Sequence, residues 1–127
     1  IPPPLASIQR ESCYHLFPLR VKGLTEEQRD TIIDDLAALG VAANVHFIPM
    51  PMLTYFKTLG YNIENFPMAY QNYASEISLP IYPQLSATEI EFIITSVISV
   101  IQIQLNSVIK LTDDQYVEPI KQMAVAS

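Results

Sequence analysis

The run Asn44-Val45-His46-Phe47-Ile48-Pro49-Met50-Pro51-Met52-Leu53 combines a titratable side chain with a strand-like apolar stretch and two spaced prolines that stop it. An imidazole at a strand end, ahead of a proline-rich loop, is placed to donate a hydrogen bond to a bound ligand. The competing reading is a packed histidine with one satisfied hydrogen bond. Other candidates are few. His15 is the second histidine and Cys13 the single cysteine. An intramolecular disulfide and a cysteine-rich metal site are thereby excluded, and little remains for zinc. Cys13 reads as a small buried residue at a strand start. Lys22 lies in a turn, Lys57 in a short helix, and Lys110 and Lys121 in the tail. None has neighbours that would desolvate it and lower its pKa, as covalent catalysis by lysine requires, so each reads as solvated. Tyr55, Tyr61, Tyr70, Tyr73 and Tyr82 make either a stacking platform for a nucleobase or helix faces with the hydroxyl at the rim.

The elements that must position these residues follow from periodicity and punctuation. Residues 1–13 are proline-rich, then polar, and read as an extended lead-in. Tyr14 to Val21 is a first strand, at an edge or bulged because Pro18 has no donor. Thr25-Glu26-Glu27-Gln28 is a capping box, opening a helix with Ile32, Ile33, Leu36 and Leu39 on one stripe. Gly40 closes that helix in the left-handed conformation, and Val41 to Phe47 is a second strand. Strand, helix, strand makes one α/β unit, right-handed if the strands are parallel. Met52 to Leu59 is a short helix ended by Gly60, Tyr61 to Asn65 a loop, and Pro67 the start of a helix through Tyr70 and Tyr73. Glu76 to Pro80 is a short extended segment. Ser86-Ala87-Thr88-Glu89 is a second capping box, opening a helix with Ile90, Ile94, Val97, Ile101 and Leu105 in step. Ile101 to Leu105 also alternates like a strand. Thr112-Asp113-Asp114-Gln115 is a third capping box, which Pro119 would interrupt.

At 127 residues, half of them hydrophobic and 16% charged, the chain is long enough for one domain with a core. A net charge of −6 with scattered basic residues argues against nucleic acid or an anionic membrane as partner. Phe92 to Ile109 carries no formal charge, but its Thr, Ser, Gln and Asn content favours a buried amphipathic helix over a membrane span. The chain opens Ile1-Pro2-Pro3-Pro4, with neither Met nor a signal-peptide pattern, and is expected to be cytoplasmic.

Several segments, in order, resemble the DegT/StrS type of sugar-nucleotide aminotransferases. Ser12-Cys13-Tyr14-His15-Leu16-Phe17 is similar to their S-x-Y-H-L-Y strand. Leu39-Gly40-Val41 with Val45-His46-Phe47-Ile48-Pro49 is similar to G-[IV]-x-x-x-V-H-Y-x-P. Phe66-Pro67-Met68-Ala69 matches F-P-x-A, and Ile77 to Ser86 matches S-L-P-[IL]-Y-P-x-L-T. The likeness runs from about residue 12 to 101, and its strength lies in the order and spacing of the segments.

The resemblance implies the small C-terminal α/β (α+β) domain of a type I pyridoxal-phosphate (PLP) transferase, a short sheet packed with helices. It spans residues 14–105, with 106–127 as a partly helical tail. It implies an aminotransferase, active as a homodimer, that moves an amino group from glutamate to a keto group on a nucleotide-linked sugar for polysaccharide biosynthesis. The Schiff-base lysine and the PLP ligands would belong to a large N-terminal domain of the same chain, the partner of these residues. The segment alone would be inactive and bind no PLP. No catalytic, cofactor-binding or metal residue is assigned in it. His46 matches the family histidine near the sugar-nucleotide pocket, and Phe47 stands where the family has tyrosine, so both are the substrate-binding candidates. Pro51 and Leu53 replace the His and Gln of a P-x-H-x-Q pattern, which removes a second histidine contact. His15 also matches a family position and reads as structural. Two other readings stay open: a free-standing α/β module that binds a small ligand, and a degenerate, non-catalytic relative.

Overall fold

The structure, a computed structural model, describes residues 6–7, 9–11 and 13–104. The order is β1 (Ala6–Ser7), β2 (Arg10–Glu11), β3 (Phe17–Arg20), α1 (Glu26–Ala38), α2 (Thr54–Thr58), α3 (Pro67–Ala74), β4 (Glu76–Leu79) and α4 (Ala87–Gln104), with 3-10 turns at Met50–Met52 and Ile63–Asn65. β1 pairs with β2, so part of the expected extended lead-in is an antiparallel pair. Leu105 and the tail, with its capping box at Thr112, Lys110 and Lys121, lie outside the described residues.

The two main helices start where their caps predict. Gln28 N–H donates to Thr25 Oγ1 at 3.2 Å, and Thr25 N–H donates to Gln28 Oε1 at 3.0 Å. At the far end Gly40 takes φ +85°. The N–H groups of Gly40 and Val41 return to the carbonyls of Ala37 and Leu36, both at 2.9 Å, which is a Schellman closure. At α4, Ser86 N–H donates to Glu89 Oε2 at 2.8 Å and Glu89 N–H donates to Ser86 Oγ at 3.3 Å. Hydrogen bonds from the Ser86 hydroxyl and N–H hold the Glu89 carboxyl below its ordinary pKa.

β3 and β4 are antiparallel, with Phe17 opposite Leu79, Pro18 opposite Ser78, Leu19 opposite Ile77 and Arg20 opposite Glu76. Val21 N–H continues the ladder to Ser75 O at 3.0 Å. Odd-numbered N–H groups on β3 thus face β4, and the nitrogen of Pro18, which has no hydrogen, falls on the outer edge. One face of the pair carries Phe17, Leu19, Ile77 and Leu79 into the core. There they meet Ile32 and Leu36 of α1 and Ile93, Val97, Val100 and Ile101 of α4. Gln104 Nε2 donates to Asp35 Oδ2 at 3.1 Å and ties the end of α4 to α1. The helix holds to Gln104, so the strand-like alternation at Ile101 is overridden by packing. By length and composition alone α4 would suffice to cross a membrane, yet its Ile90, Ile93, Ile94, Val97, Val100 and Ile101 face is buried.

Three expectations are corrected. Val41 to Phe47 is not a strand; it makes one isolated antiparallel bridge, Asn44 to Ser78. The ladder stops because His46 N–H, the next donor that would face β4, is taken by a side chain, while Val45 N–H turns back to its neighbour. Val45 N–H goes to Asn44 Oδ1 at 2.8 Å and His46 N–H to Glu76 Oε2 at 2.9 Å. Both this segment and β3 run antiparallel to β4, so they are parallel to each other with β4 between them. Cys13 is exposed, since the strand begins only at Phe17 and Cys13 lies outside the ladder. Leu39 is the C-cap of α1, where the chain leaves the helical spiral, and is 49% exposed.

Arg29 occupies the inner face of α1 instead, 1% exposed. Its Nη1 donates to the Tyr73 carbonyl at 2.7 Å, its Nε to Asp30 Oδ1 at 2.6 Å, and its guanidinium lies 4.7 Å from the Tyr73 ring centroid. Burial opposes the charge, but Asp30 and Tyr73 outweigh it and the pKa sits above its ordinary value. The Tyr73 and Tyr70 hydroxyls donate to Glu26 at 2.8 and 3.1 Å. Burial and then the Glu26 bond raise the Tyr73 pKa. The α1–α3 seam is therefore polar while the α1–α4 seam is apolar.

Leu36 is fully buried between α1 and α4. Leu36→Ala should cost roughly 2–5 kcal/mol in urea unfolding. A loss near zero would mean that the inner stripe of α1 has been misplaced.

Candidate functional site

Alternation along the β-pair sends Pro18, Arg20, Glu76 and Ser78 to the face opposite the core. The 44–49 segment runs beside β4 and α3 closes the third side. Together they enclose a cleft of about 440 Å³ lined by Pro18, Arg20, His46, Phe47, Pro49, Ala69, Asn72, Tyr73 and Glu76. Its polar groups are linked. Glu76, 5% exposed, receives His46 N–H on Oε2 and the Ser78 hydroxyl on Oε1 at 2.5 Å. The His46 Nδ1 lies 2.8 Å from Ser78 Oγ. Across the cleft Arg20 Nη1 donates to Asn72 Oδ1 at 2.9 Å.

Of the sequence candidates, His46 and Phe47 both line this cleft. Their rings meet edge to face with centroids 4.8 Å apart, and Phe47 is 75% exposed. His15 is exposed and outside the cleft lining. Among the tyrosines, Tyr73 lines the cleft, while Tyr70 and Tyr73 are held by Glu26. Tyr61 belongs to a second, apolar pocket of about 340 Å³ with Pro49, Met50, Pro51, Phe56, Phe66 and Ala69. Pro49 and Ala69 form the wall common to the two. Around it Phe47, Met50, Tyr55 and Met68 leave most of their surface in solvent.

Sequence reasoning missed Glu76, Ser78, Arg20 and Asn72. The first two carried a signal: polar residues at alternate positions of a strand whose other positions are Ile77 and Leu79. Among the described residues no cluster of His, Cys, Asp and Glu is arranged to hold a metal ion.

Residues 2–98 match the sequence pattern of the DegT/DnrJ/EryC1/StrS aminotransferase family. The chain is similar to the spore coat polysaccharide biosynthesis protein SpsC of Bacillus subtilis, 32% identical over 94 residues, 70% of this chain and 24% of that protein. It is also similar to an uncharacterized protein of Methanocaldococcus jannaschii, 34% identical over 86 residues, 66% of this chain and 22% of that one. Among solved structures it resembles "Putative sugar aminotransferase Spr1654 from Streptococcus pneumoniae". With the PMP-form the TM-score is 0.80 at 39% identity, over 83% of this chain and 26% of that one. With the PLP-form it is 0.78 at 39% identity, over 81% and 26%. The chain thus spans about a quarter of the length of the proteins it matches.

A resident PLP requires a lysine held out of water. Lys22 and Lys57 are both exposed, and no buried side-chain nitrogen or oxygen among the described residues lacks a partner. The described residues therefore do not fit the cofactor's anchoring site.

Glu76→Ala would strip the acceptor from the His46 N–H and the Ser78 hydroxyl together. It should destabilise the chain by about 1–3 kcal/mol in chemical denaturation. No measurable change would show that water replaces the carboxylate at no cost.

Proposed function

The chain belongs to the DegT/DnrJ/EryC1/StrS aminotransferase family, and from that premise we propose that it is the small C-terminal domain of a longer PLP-dependent enzyme. That enzyme moves an amino group from glutamate to a keto group on a nucleotide-linked sugar, in polysaccharide biosynthesis, as a cytoplasmic homodimer. PLP is held by a large N-terminal domain outside these residues, and the segment alone is inactive. One observation carries the reading. His46 and Phe47, on the segment that bears the family resemblance, form a wall of the 440 Å³ cleft.

On this reading the chain's own residues bind and orient. His46 meets a sugar-nucleotide atom through its ring, and Phe47 offers an apolar ring edge where a tyrosine would add a hydroxyl. The solvent-facing apolar side chains of Phe47, Met50, Tyr55 and Met68 meet the large domain or the second subunit, since exposed large apolar side chains close in sequence call for a partner. Amino-group chemistry proceeds elsewhere in the enzyme.

Two measurements test this. Added to the isolated chain, PLP should give no stoichiometric visible absorption band that glutamate discharges; such a band would defeat the assignment of cofactor binding to another domain. In the full-length enzyme, His46→Ala should weaken sugar-nucleotide binding by about 0.5–1.5 kcal/mol, one hydrogen bond, and leave the glutamate half-reaction nearly unchanged. A crippled glutamate half-reaction with intact sugar-nucleotide affinity would assign His46 to the cofactor instead.

A further inference from the structure

We propose that Glu76 and Ser78 are positioning residues that fix the His46 ring as its Nδ1–H tautomer, presenting Nε2 to the cleft as a hydrogen-bond acceptor for a sugar hydroxyl. The inference rests on the cleft being the sugar-nucleotide contact.

The proton assignment follows from counting donors. An ionised carboxylate only accepts, and a serine hydroxyl has one proton to give. Ser78 Oγ lies 2.5 Å from Glu76 Oε1, in the range of a charge-assisted O–H···O⁻ bond. That proton is committed to Glu76, so toward His46 Nδ1, at 2.8 Å, the same oxygen can only accept. Nδ1 therefore carries the hydrogen. The other Glu76 oxygen takes the His46 N–H at 2.9 Å, so one carboxylate fixes both the backbone and, through Ser78, the ring. Glu76 and Ser78 are 5% and 4% exposed, which keeps water from exchanging these partners.

With Nδ1 turned to Ser78, the neutral ring is left with a bare Nε2. No hydrogen bond to Nε2 is formed among the described residues, and none of their buried side-chain nitrogens or oxygens is without a partner. Nε2 is thus open to solvent on a residue that lines the cleft. Phosphate oxygens only accept, and would meet this nitrogen lone pair to lone pair. A sugar hydroxyl donates to it. Arg20 binds Asn72 through Oδ1, which leaves the Asn72 amide nitrogen as a donor on a residue that also lines the cleft. An acceptor and a donor in one lining suit a ring hydroxyl, which does both. The imidazole accepts where the sequence alone suggested a donor.

Two-bond ¹H–¹⁵N spectra of the ¹⁵N-histidine-labelled chain at about pH 8.5, above the usual histidine range, read the tautomer directly, with exposed His15 as internal control. His46 should show a protonated Nδ1 and a bare Nε2. Ser78→Ala and the isosteric Glu76→Gln should each move it toward Nε2–H, the tautomer a solvated histidine prefers. An Nε2–H ring in the unaltered chain, or a tautomer indifferent to both substitutions, overturns the proposal whatever the enzyme does. In the full-length enzyme Ser78→Ala should raise KM for the sugar nucleotide about 2- to 12-fold, restored by Ser78→Thr. The glutamate half-reaction and the Kd of the nucleoside diphosphate without sugar should not change. An equal loss for the nucleoside diphosphate places phosphate at Nε2 and refutes the acceptor role. A KM sensitive to His46→Ala but not to Ser78→Ala refutes the positioning role alone. A KM sensitive to neither refutes the cleft as substrate site, and this inference with it.

Discussion

The Glu76 carboxylate is the point on which the cleft side of this molecule depends. It is a buried carboxyl group that accepts hydrogen bonds from two different places: the His46 backbone and the Ser78 hydroxyl. Leaving such a group unpaired would be costly, so the carboxylate dictates what its neighbours do. It draws the chain at His46 out of the β-ladder after the single bridge at Asn44. It holds that chain against β4, and so sets the direction of the loop through Pro49 and Pro51. A carboxylate at position 76 is the reason a strand-like sequence becomes a site wall.

The period of two in β3 and β4 divides the molecule. Phe17, Leu19, Ile77 and Leu79 complete the core with α1 and α4, while Pro18, Arg20, Glu76 and Ser78 face the cleft. Core packing therefore fixes the site's geometry directly. A one-residue slip in the β3–β4 register would bring Glu76 into the core and Ile77 to the cleft, and the buried Ile77 and Leu79 side chains resist it. The two helix seams are chemically unlike. The α1–α4 seam is apolar, with Ile32 and Leu36 facing Ile93, Val97, Val100 and Ile101 in the core. The α1–α3 seam is set by Arg29, Glu26, Tyr70 and Tyr73, and directional bonds there align α3, whose Ala69 and Asn72 finish the cleft.

How much of this was legible in the sequence depended on how local the deciding interaction is. The caps at Thr25 and Ser86 and the left-handed Gly40 were readable because each is settled within a few residues. So were α3, started by Pro67, and the short strand from Glu76. The second strand was misread because the bonds that dissolve it join His46 to Glu76, thirty residues away. Cys13 was placed in a strand that begins four residues later. Leu39 continued a periodic stripe past the point where the helix ends, and Arg29, invisible to hydrophobic periodicity, filled the interior in its place. At the cleft, His46 was singled out by its place at the end of an apolar run and Phe47 by the family resemblance, and both line it. Glu76 and Ser78 were missed although their alternation with Ile77 and Leu79 marks one face of the strand, and Arg20 and Asn72 were missed because nothing in a single sequence marks which polar residues of separate elements share a face with a loop brought there by folding.

The departures from the family pattern acquire a physical setting in the second pocket. Pro51, which stands where a histidine is usual, lines the apolar pocket with Met50, Phe56, Tyr61 and Phe66. An imidazole there would need hydrogen-bond partners, and those neighbours offer little beyond the Tyr61 hydroxyl; proline needs none. The substitution is thus consistent with its surroundings, a local agreement of the kind that well-specified sequences show. Pro49 and Ala69 wall both pockets, and the hydrogen bond from His46 N–H to Glu76 restrains the chain at the start of the loop that carries Pro49.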